Sequence, residues 1–365
     1  MTACPEFTAW ATDEQDEEHA TMSSVTIVIC NYNYAAYLRG AIDSALTQSV
    51  GTTAVTVIDD GSTDDSREII QSYGDRVTSV FQENRGQVAA YNRALQTIDT
   101  PYVIFLDADD LLYPDAVKEV DAAFAAGDYV KVQFKLEVMT SDGAHTGVMV
   151  PQSSPVENCG TLLRAGWLYP SPPGSGNAYR VDALKRIFPV PVTADNVYGA
   201  DFYAIYGIAL LGKVRAIDHA LGGYRVHRST MQRPNRASRS VADDLAFANS
   251  EDSLAGVRKA ATRWRILRDI AGERLGERLP PSFLDFSAEK ALFGNLLYRA
   301  PLSRRWRWFT RESGRYFHTV LANPFWSLRK KLAVSCLTAL CLVPFSAISD
   351  RAVRYIANPL ARAGR

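Results

Sequence analysis

The stretch Tyr102-Val-Ile-Phe-Leu-Asp-Ala-Asp-Asp110 carries three carboxylates within four residues, directly after five apolar or aromatic side chains. The apolar run is short, aromatic and β-branched, which is typical of a buried strand. In an extended chain Asp107 and Asp109 point to the same side, roughly 6.5–7 Å apart at their backbones. Like charges this close are unfavourable unless a cation neutralises them or one carboxyl group is protonated. Because carboxylate oxygens suit Mg²⁺ or Mn²⁺, and phosphate oxygens fill the open positions of such ions, the stretch predicts a site for a metal-bound phosphate or diphosphate.

Strand and helix patterns alternate four times around this stretch. The predicted strands are residues 25–30, 55–58, 77–81 and 102–106. The alternation predicts an α/β fold with a Rossmann-like, mostly parallel sheet and helices on both faces. Ligands bind beyond the carboxyl ends of such strands. Polar clusters stand at these ends, namely Asn31-Tyr-Asn33, Asp59-Asp60, Asn84-Arg-Gly86 and Asp107–Asp110.

The rest of the chain divides into regions of different character. Residues 1–22 are acidic and lack an apolar core, which predicts a disordered segment. Residues 23–235 are expected to form the α/β domain, and 236–365 a mainly α-helical, basic C-terminal region. In the second half of the α/β domain, the expected strands are residues 129–139, 146–150, 213–217 and 222–227, and a helix is expected over 201–211. The later helices are expected over 242–276, 285–299 and 302–321.

Charge is distributed unevenly, although the formal net charge is zero. From Glu251 onward the chain has 21 Lys and Arg against 9 Asp and Glu. This excess favours an anionic membrane surface as a partner of the C-terminal region, with no nucleic acid. The uncharged residues 332–348 are open to three interpretations: a membrane-lying segment, a helix packed on the protein, or a membrane span. The basic and aromatic cluster at 304–308 predicts further surface for lipid headgroups.

The five cysteines are scattered without a closely spaced pair. This argues against a disulfide framework or a zinc site and for a reducing compartment. The expected localisation is therefore cytoplasmic, with a peripheral position at the inner face of the plasma membrane as the alternative.

Several motifs in order carry a resemblance to a known family. They are Val25-Thr-Ile-Val-Ile-Cys-Asn-Tyr-Asn33, Val57-Ile-Asp-Asp-Gly-Ser62, Asn84-Arg-Gly86, Phe105-Leu-Asp-Ala-Asp-Asp110, Gly199-Ala-Asp201 and Tyr224-Arg-Val-His227. Their combination over about residues 24–230 resembles the family 2 glycosyltransferases, which are inverting enzymes with a GT-A fold that use nucleotide-diphosphate sugars.

The resemblance implies roles for the residues of the donor site. Tyr32 would lie against the nucleobase, with the backbone of Cys30 and Asn31 at its edge. Asp60 would accept a hydrogen bond from a uracil or thymine N–H group, although Asp59 and Asp60 also suit a turn. Arg85 or Gln87 would contact the base or the ribose. Asp107 would lie near the ribose.

The resemblance also implies a metal site and a catalytic base. Asp109, directly or through Asp110, would bind Mn²⁺ or Mg²⁺ as part of a DxD motif. His227 would contact the metal or the diphosphate, or be only hydrogen-bonded. Asp201 would be the base, as the second residue of the family's Glu-Asp pair, whose first position is Ala200 in this chain; Asp201 also suits a helix N-cap. Ser175, Gly176 and Asn177 lie where the family shapes its acceptor site.

The sequence thus predicts a metal-dependent hexosyltransferase of surface polysaccharide biosynthesis. It would move a sugar from a UDP- or dTDP-linked donor to a hydroxyl of a glycan or lipid-linked acceptor. One alternative is a nucleotidyltransferase that makes sugar nucleotides; it is disfavoured because residues 31–37 lack a Gly-rich basic loop for triphosphate. The other alternative is a non-catalytic scaffold that binds a nucleotide or glycan.

Overall fold

The computed structural model describes residues 24–51, 53–155, 157–227 and 253–357. The acidic segment 1–22 and the expected domain boundary after residue 235 lie outside these ranges.

Four parallel strands form one half of the sheet, as the alternating pattern predicts. They are β1 (Val25–Asn31), β2 (Ala54–Asp59), β3 (Thr78–Phe81) and β4 (Tyr102–Asp107). Their spatial order is β3-β2-β1-β4, with every neighbouring pair parallel. The connecting helices are α1 (Ala35–Leu46), α2 (Ser66–Gln71), α3 (Gln87–Ala94) and α4, which follows β4 at Ala116–Ala125.

The other half of the sheet is mixed. It contains β5 (Leu111–Leu112), β6 (Tyr129–Met139), β7 (His145–Val150), β8 (Asn177–Arg180) and β9 (Lys213–Arg225). The order continues from β4 through β8, β6 and β9 to β5, and β7 pairs with β6. The two strands expected over 213–227 are one strand, because the pairing with β6 shifts register between Phe134 and Leu136 and so accommodates polar Asp218 and His219.

The helices of the middle region are short. They are α5 (Cys159–Arg164), α6 (Val181–Leu184) and α7 (Ala200–Phe202). The helix expected over 201–211 is present, but α7 passes into a wider π-helical turn at Tyr203–Gly207.

Two apolar cores lie on opposite faces of the sheet, because alternate residues of each buried strand point to opposite sides. Ile27 and Ile29 face the core with α1 and α4. Val28 and Phe105 face the other core, where the Tyr91 ring of α3 stacks on Phe105 at 3.8 Å between ring centroids.

The C-terminal helices divide between two cores. Helix α8 (Ser253–Leu275) packs into the core on the α3 face of the sheet, with Trp264 and Leu267 buried. A third core joins α9 (Phe286–Leu297), α10 (Leu302–Arg307), α11 (Gly314–Leu321), α12 (Leu328–Ala339) and α13 (Ser346–Ala357). The helix expected over 302–321 is therefore two helices, joined by a π-helical turn at Trp308–Glu312.

The apolar segment 332–348 is broken into α12, a 3-10 turn at Leu340–Leu342 and the start of α13. Within the described ranges, none of the helices has the length and apolar content to cross a membrane. Thr338 and Cys341 of this segment are buried, whereas Leu332, Phe345 and Ile348 are exposed.

The surface expected at 304–308 is only partly present. Arg305 and Trp308 lie three residues apart on one helical face and are buried, and Arg305 pairs with Asp350. Trp306 is 48% exposed.

The substitution Trp264→Ala tests whether α8 belongs to the α/β domain. The indole is 1% exposed and its Nε1 donates a hydrogen bond to Pro280 O at 2.9 Å. Its loss is expected to lower the free energy of unfolding by about 3–5 kcal/mol. The control Trp306→Ala removes an exposed indole and is expected to change it by less than about 0.5 kcal/mol. Urea unfolding followed by circular dichroism measures both, and equal effects would mean that α8 is not docked.

Candidate active site

The carboxyl ends of the parallel strands meet at one edge of the sheet. Cys30 of β1 is paired in register with Asp107 of β4, and Asn31 with Asp59 of β2. Besides burial, the charges of Asp107 and Asp60 both raise the pKa of the Cys30 thiol, so Cys30 lies between these two acids. The edge therefore collects the polar clusters that the sequence predicts there.

Asp59 shapes the turn that follows β2. Its carboxylate accepts hydrogen bonds from Asn31 Nδ2 at 2.9 Å, Ser62 Oγ at 2.6 Å and Ser62 N at 3.1 Å. Asn31 Oδ1 is buried and has no hydrogen-bond partner within the described ranges. An acceptor oxygen is thus held at this edge, close to the expected nucleobase site.

Asp60 holds the loop after β3. Its carboxylate accepts hydrogen bonds from Gln82 Nε2 at 2.6 Å, Arg85 N at 3.0 Å and Gly86 N at 2.7 Å. A carboxylate has about four acceptor sites, so one remains for a ligand. The side chains of Arg85 and Tyr32 are exposed at the same edge.

Gln87 connects this loop to the one that carries Asp201. Its Oε1, expected from the sequence near the base or ribose, accepts hydrogen bonds from Gly199 N at 2.9 Å and Ala200 N at 3.1 Å. Gly86 has φ 84° and lies so close to Val197 that a Cβ would be 2.5 Å from the Val197 carbonyl oxygen. The two loops are therefore packed together, and this contact requires glycine at position 86.

Asp110 is bound within the protein. Its Oδ2 accepts a hydrogen bond from Ser175 Oγ at 2.6 Å, and its Oδ1 accepts one from Arg225 N at 2.8 Å. Burial and the neighbouring Asp109 raise its pKa to about 7. Asp110 thus joins the end of β4 to the end of β9 and to the loop before β8.

Asp109 and His227 form a half-buried pair in the acidic cluster. Their Oδ2 and Nε2 atoms lie 2.6 Å apart. The rings of Tyr34 and Tyr37 lie within 6.0 and 5.1 Å of the His227 ring, measured between centroids. Asp109 O also accepts a hydrogen bond from Arg225 Nε at 2.8 Å, so β9 fixes both partners.

Asp109 and His227 fit a divalent cation whose remaining ligands are oxygens of a substrate phosphate. Within the described ranges, no three His, Cys, Asp or Glu side chains converge as a ready cage for a metal ion. Mg²⁺ is commonly held by one or two carboxylates together with substrate phosphates. A carboxylate and an imidazole nitrogen, as in Asp109 and His227, are a suitable partial set.

Asp107 and Asp201 border the same space. A Cβ on Gly174 would lie 3.5 Å from Asp107 Oδ2 and 3.6 Å from Asp201 Cβ, so both acids flank this glycine. Burial, followed by Asp110, Asp109 and Asp201, raises the pKa of Asp107. Burial also raises the pKa of Asp201, while the charge of Arg263 lowers it.

Hydrogen bonds hold the loop that contains Gly174 in place. Ser175, Gly176 and Asn177, expected to shape the acceptor site, are buried, and Asn177 Nδ2 donates to Pro173 O at 2.8 Å. Asn177 Oδ1 accepts from Ser171 Oγ, which in turn accepts from the buried amine of Lys131 at 3.0 Å. These hydrogen bonds fix the loop in which Gly174 lies against Asp107 and Asp201.

Comparison with known proteins gives a family for this part of the chain. Residues 26–188 match the family model Glycosyl transferase family 2. This range contains β1 to β4 and the acidic cluster after β4. Residues 26–188, which make up less than half of the chain, are therefore similar to a family 2 glycosyltransferase domain.

Relatives extend the comparison along the chain. An uncharacterised glycosyltransferase of Nostoc sp. is 29% identical over 313 residues, covering 83% of this chain and 90% of the relative. The teichoic acid poly(glycerol phosphate) polymerase of Staphylococcus epidermidis is 36% identical over 101 residues, which cover 26% of this chain and 14% of that protein. A crystal structure of S. aureus TarS residues 1–349 has a TM-score of 0.48 and 14% identity, covering 91% of this chain and 90% of that one. Similarity at the level of TarS says nothing about substrate.

Two arginine side chains near the acidic cluster are absent from the sequence expectations. Arg225 lies inside the motif Tyr224-Arg-Val-His227, so the pattern offered a signal for it. Arg263 stands in a helix with many arginines and no motif, and only the tertiary packing brings it to Asp201.

The substitution Gln87→Leu distinguishes support of the Asp201 loop from contact with the nucleotide. It removes the acceptor of two backbone N–H groups, a loss of about 1–3 kcal/mol for each unpaired group. We expect turnover to fall on the order of tenfold and the affinity for UDP to change less than about twofold. Gln82→Leu is the matched control, because Gln82 bonds Asp60 on the nucleotide side; it is expected to weaken UDP binding in calorimetry. If Gln87→Leu weakened UDP binding as much, Gln87 would be a nucleotide contact.

Proposed function

We propose that the protein is an inverting, metal-dependent glycosyltransferase that moves a sugar from a UDP- or dTDP-linked donor to a hydroxyl of a glycan or lipid-linked acceptor. The observation that carries the proposal is that Asp107 and Asp201 border one space, beside the Asp109–His227 pair. Separate strands and loops supply these groups, and their convergence at the carboxyl edge of a parallel sheet supports one reaction centre.

The donor binds at the β1, β2 and β4 ends of the sheet in this proposal. Tyr32, 39% exposed, stacks on the nucleobase, and the backbone of Cys30 and Asn31 contacts its edge. Asp60 has an acceptor site left for the imide N–H of uracil or thymine. Asp107 lies near the ribose, and Arg85 is exposed within reach of the same region.

The diphosphate lies beside Asp109 and His227. These two residues would hold Mn²⁺ or Mg²⁺, with Asp110 supporting them from behind through Ser175 and Arg225. When bound, the cation offsets the negative charge that develops on the departing diphosphate.

Asp201 is the general base. Inversion requires a base on the face opposite the leaving group, which removes the proton of the acceptor hydroxyl. Burial raises the pKa of Asp201, so its ionised carboxylate accepts a proton more readily than an exposed aspartate does. Asp201 is ionised above that raised pKa, and turnover is lost as the pH falls through it.

Two alternatives have less support. A nucleotidyltransferase needs a basic, Gly-rich loop after β1, whereas here Asn33 bonds Thr63 and α1 begins at Ala35. A scaffold without activity does not require the half-buried carboxyl of Asp201 to lie beside Asp107 at the same space. The likeness to a teichoic acid polymerase, over 26% of this chain, supports a surface glycan as the product.

A donor-hydrolysis assay tests the proposal. The full chain is incubated with Mn²⁺ and UDP-glucose, UDP-galactose, UDP-GlcNAc, GDP-mannose or dTDP-rhamnose, and release of nucleoside diphosphate is measured. We expect release from at least one UDP- or dTDP-linked donor and its loss on addition of EDTA. Release from none, together with no donor binding in calorimetry, would contradict the proposal.

Two substitutions in the same assay separate the roles of the acids. Asp109→Asn is expected to abolish metal-dependent donor binding, because it removes the charged ligand. Asp201→Asn is expected to leave donor binding intact and to lower turnover about 10²–10⁴-fold, the usual contribution of a general base. A near-normal rate for Asp201→Asn with the true acceptor would remove it as the base.

We propose in addition that the C-terminal helices bind an anionic membrane surface. Five large apolar side chains between residues 328 and 348 are exposed: Leu328, Leu332, Leu340, Phe345 and Ile348. Arg329 and Lys330 are exposed in the same segment. Apolar side chains next to exposed cations suit insertion at the headgroup level of anionic lipids.

Vesicle sedimentation tests this surface. Deletion of residues 326–365 is unsuitable, because Cys341, Val353 and Ile356 belong to the third core. The double substitution Leu332→Glu, Phe345→Glu is expected to abolish binding to vesicles of phosphatidylglycerol and phosphatidylcholine. Met149→Glu, an exposed apolar position in β7, is the matched control and is expected to bind normally. Equal binding by both variants would contradict the proposal.

A further inference from the structure

Arg263 of α8 reaches the loop that carries the proposed base. A Cβ on Gly199 would lie 2.3 Å from Arg263 Cζ and 2.6 Å from its Nη2, so the guanidinium packs directly against the Gly199 backbone. Gly199 also has φ 83°, a conformation that side chains disfavour. Position 199 therefore requires glycine, because the Arg263 side chain occupies the space that a Cβ would need.

Within the described ranges, no side chain or backbone group is paired with the Arg263 guanidinium. It is half-buried and makes no hydrogen bond or ion pair with residues 24–227 or 253–357 as far as the structure describes them. Its charge nonetheless acts on its surroundings, lowering the pKa of Asp201 and of Tyr203 against the effect of burial. A guanidinium has five N–H donors in a fixed plane, and a half-buried one is expected to have acceptors.

The backbone around Arg263 is firmly held. The neighbouring Trp264 and Leu267 are buried in the core, at 1% and 0% exposure. Further along α8, Arg274 donates hydrogen bonds to Ile187 O at 2.7 Å and Pro189 O at 2.9 Å. The helix is thus fixed to the domain, and Arg263 is presented from a rigid element, as binding residues require.

Arg263 lies on the acceptor side of the cleft. The diphosphate side is marked by Asp109 and His227, and a displacement with inversion puts the base on the opposite side. Arg263 lies beside the loop of the proposed base Asp201, and so on the side opposite the proposed diphosphate position. Tyr198, next to Gly199, is 57% exposed and offers an aromatic face in the same loop.

We propose that Arg263 binds an oxyanion of the acceptor, a phosphate or a carboxylate, close to the hydroxyl that receives the sugar. The inference rests on the proposed function, since it takes Asp201 as the base. The planar guanidinium matches the oxygens of either anion with two parallel hydrogen bonds. It also offsets the repulsion that an anionic acceptor meets in a cleft with Asp107 and Asp201.

Binding of small acceptor fragments tests the proposal without turnover. The full chain with UDP and Mg²⁺ is titrated with sn-glycerol 3-phosphate, glycerate or glycerol, and Kd is obtained from the shift of the thermal midpoint. We expect stabilisation by one or both anions and none by glycerol. Arg263→Gln is expected to weaken anion binding on the order of tenfold or more, and Arg263→Lys, which keeps the charge without the fork, by less.

The matched control is Arg265→Gln. Arg265 is on the same helix, its side chain is 64% exposed and it pairs with Asp269, so its loss removes the same charge away from Gly199. We expect its Kd to stay within about twofold of the unsubstituted protein. The midpoints without anion report whether each variant folds, and Arg263→Lys decides the question if Arg263→Gln does not.

Two outcomes would overturn the inference. One is that neither anion stabilises the unsubstituted protein, and the other is that Arg263→Gln binds the anion equally well. The comparison of phosphate with carboxylate identifies the oxyanion. A third result separates the two proposals. If the protein bound the anion through Arg263 but neither bound nor hydrolysed any donor, the proposed function would be contradicted and the anion-binding site at Arg263 would still stand.

Discussion

Mutual repulsion among carboxylates is the constraint around which the rest of the site is arranged. Asp107, Asp109, Asp110 and Asp201 occupy one end of the sheet, where burial already opposes their charge. Three of them have a compensating partner nearby. Asp110 accepts two hydrogen bonds, Asp109 lies against His227, and Asp201 has the charge of Arg263 beside it. Burial and the neighbouring acids raise the pKa of Asp107, so its ionised form is unfavourable at this position and a cation in the cleft would stabilise it.

Interlocked loops keep these acids in place. Asp60 fixes the loop after β3 by accepting bonds from Arg85 N and Gly86 N, and the next side chain, Gln87, fixes the backbone of Gly199. One short segment therefore couples the proposed nucleotide pocket to the loop of the base. A carboxylate held by its neighbours' backbone loses little entropy when substrate binds, which is the benefit of preorganisation.

The parallel half of the sheet could be predicted because β1, β2 and β4 are buried on both faces and appear in the sequence as apolar runs, whereas β3 lies at the edge of the sheet and is partly exposed. The polar clusters at their ends followed from the geometry of parallel strands. The strand Asn177–Arg180 could not be recognised in the same way, since its pairing depends on the neighbouring β4 and β6 and not on an apolar run. The side-chain partner of Gln87 was equally hidden, because Gly199 is more than a hundred residues away. Residue type at a loop start does not determine which distant backbone it meets.

The proposed nucleotide and acceptor sides of the site differ in how the chain encodes them. The proposed nucleotide side comes from loops after adjacent strands within residues 26–188, so the sheet itself sets its geometry. Asp201, His227 and Arg263 come from later segments that no regular pairing places together. Their arrangement depends on α8 docking and on the register of β9, both of which are packing outcomes. Several contacts nevertheless join the two parts, because Gln87 bonds Gly199, Gly86 packs on Val197, and Arg225 and His227 bond the acids that follow β4. A change in the later segments is therefore expected to affect the proposed metal side as well as the proposed acceptor side.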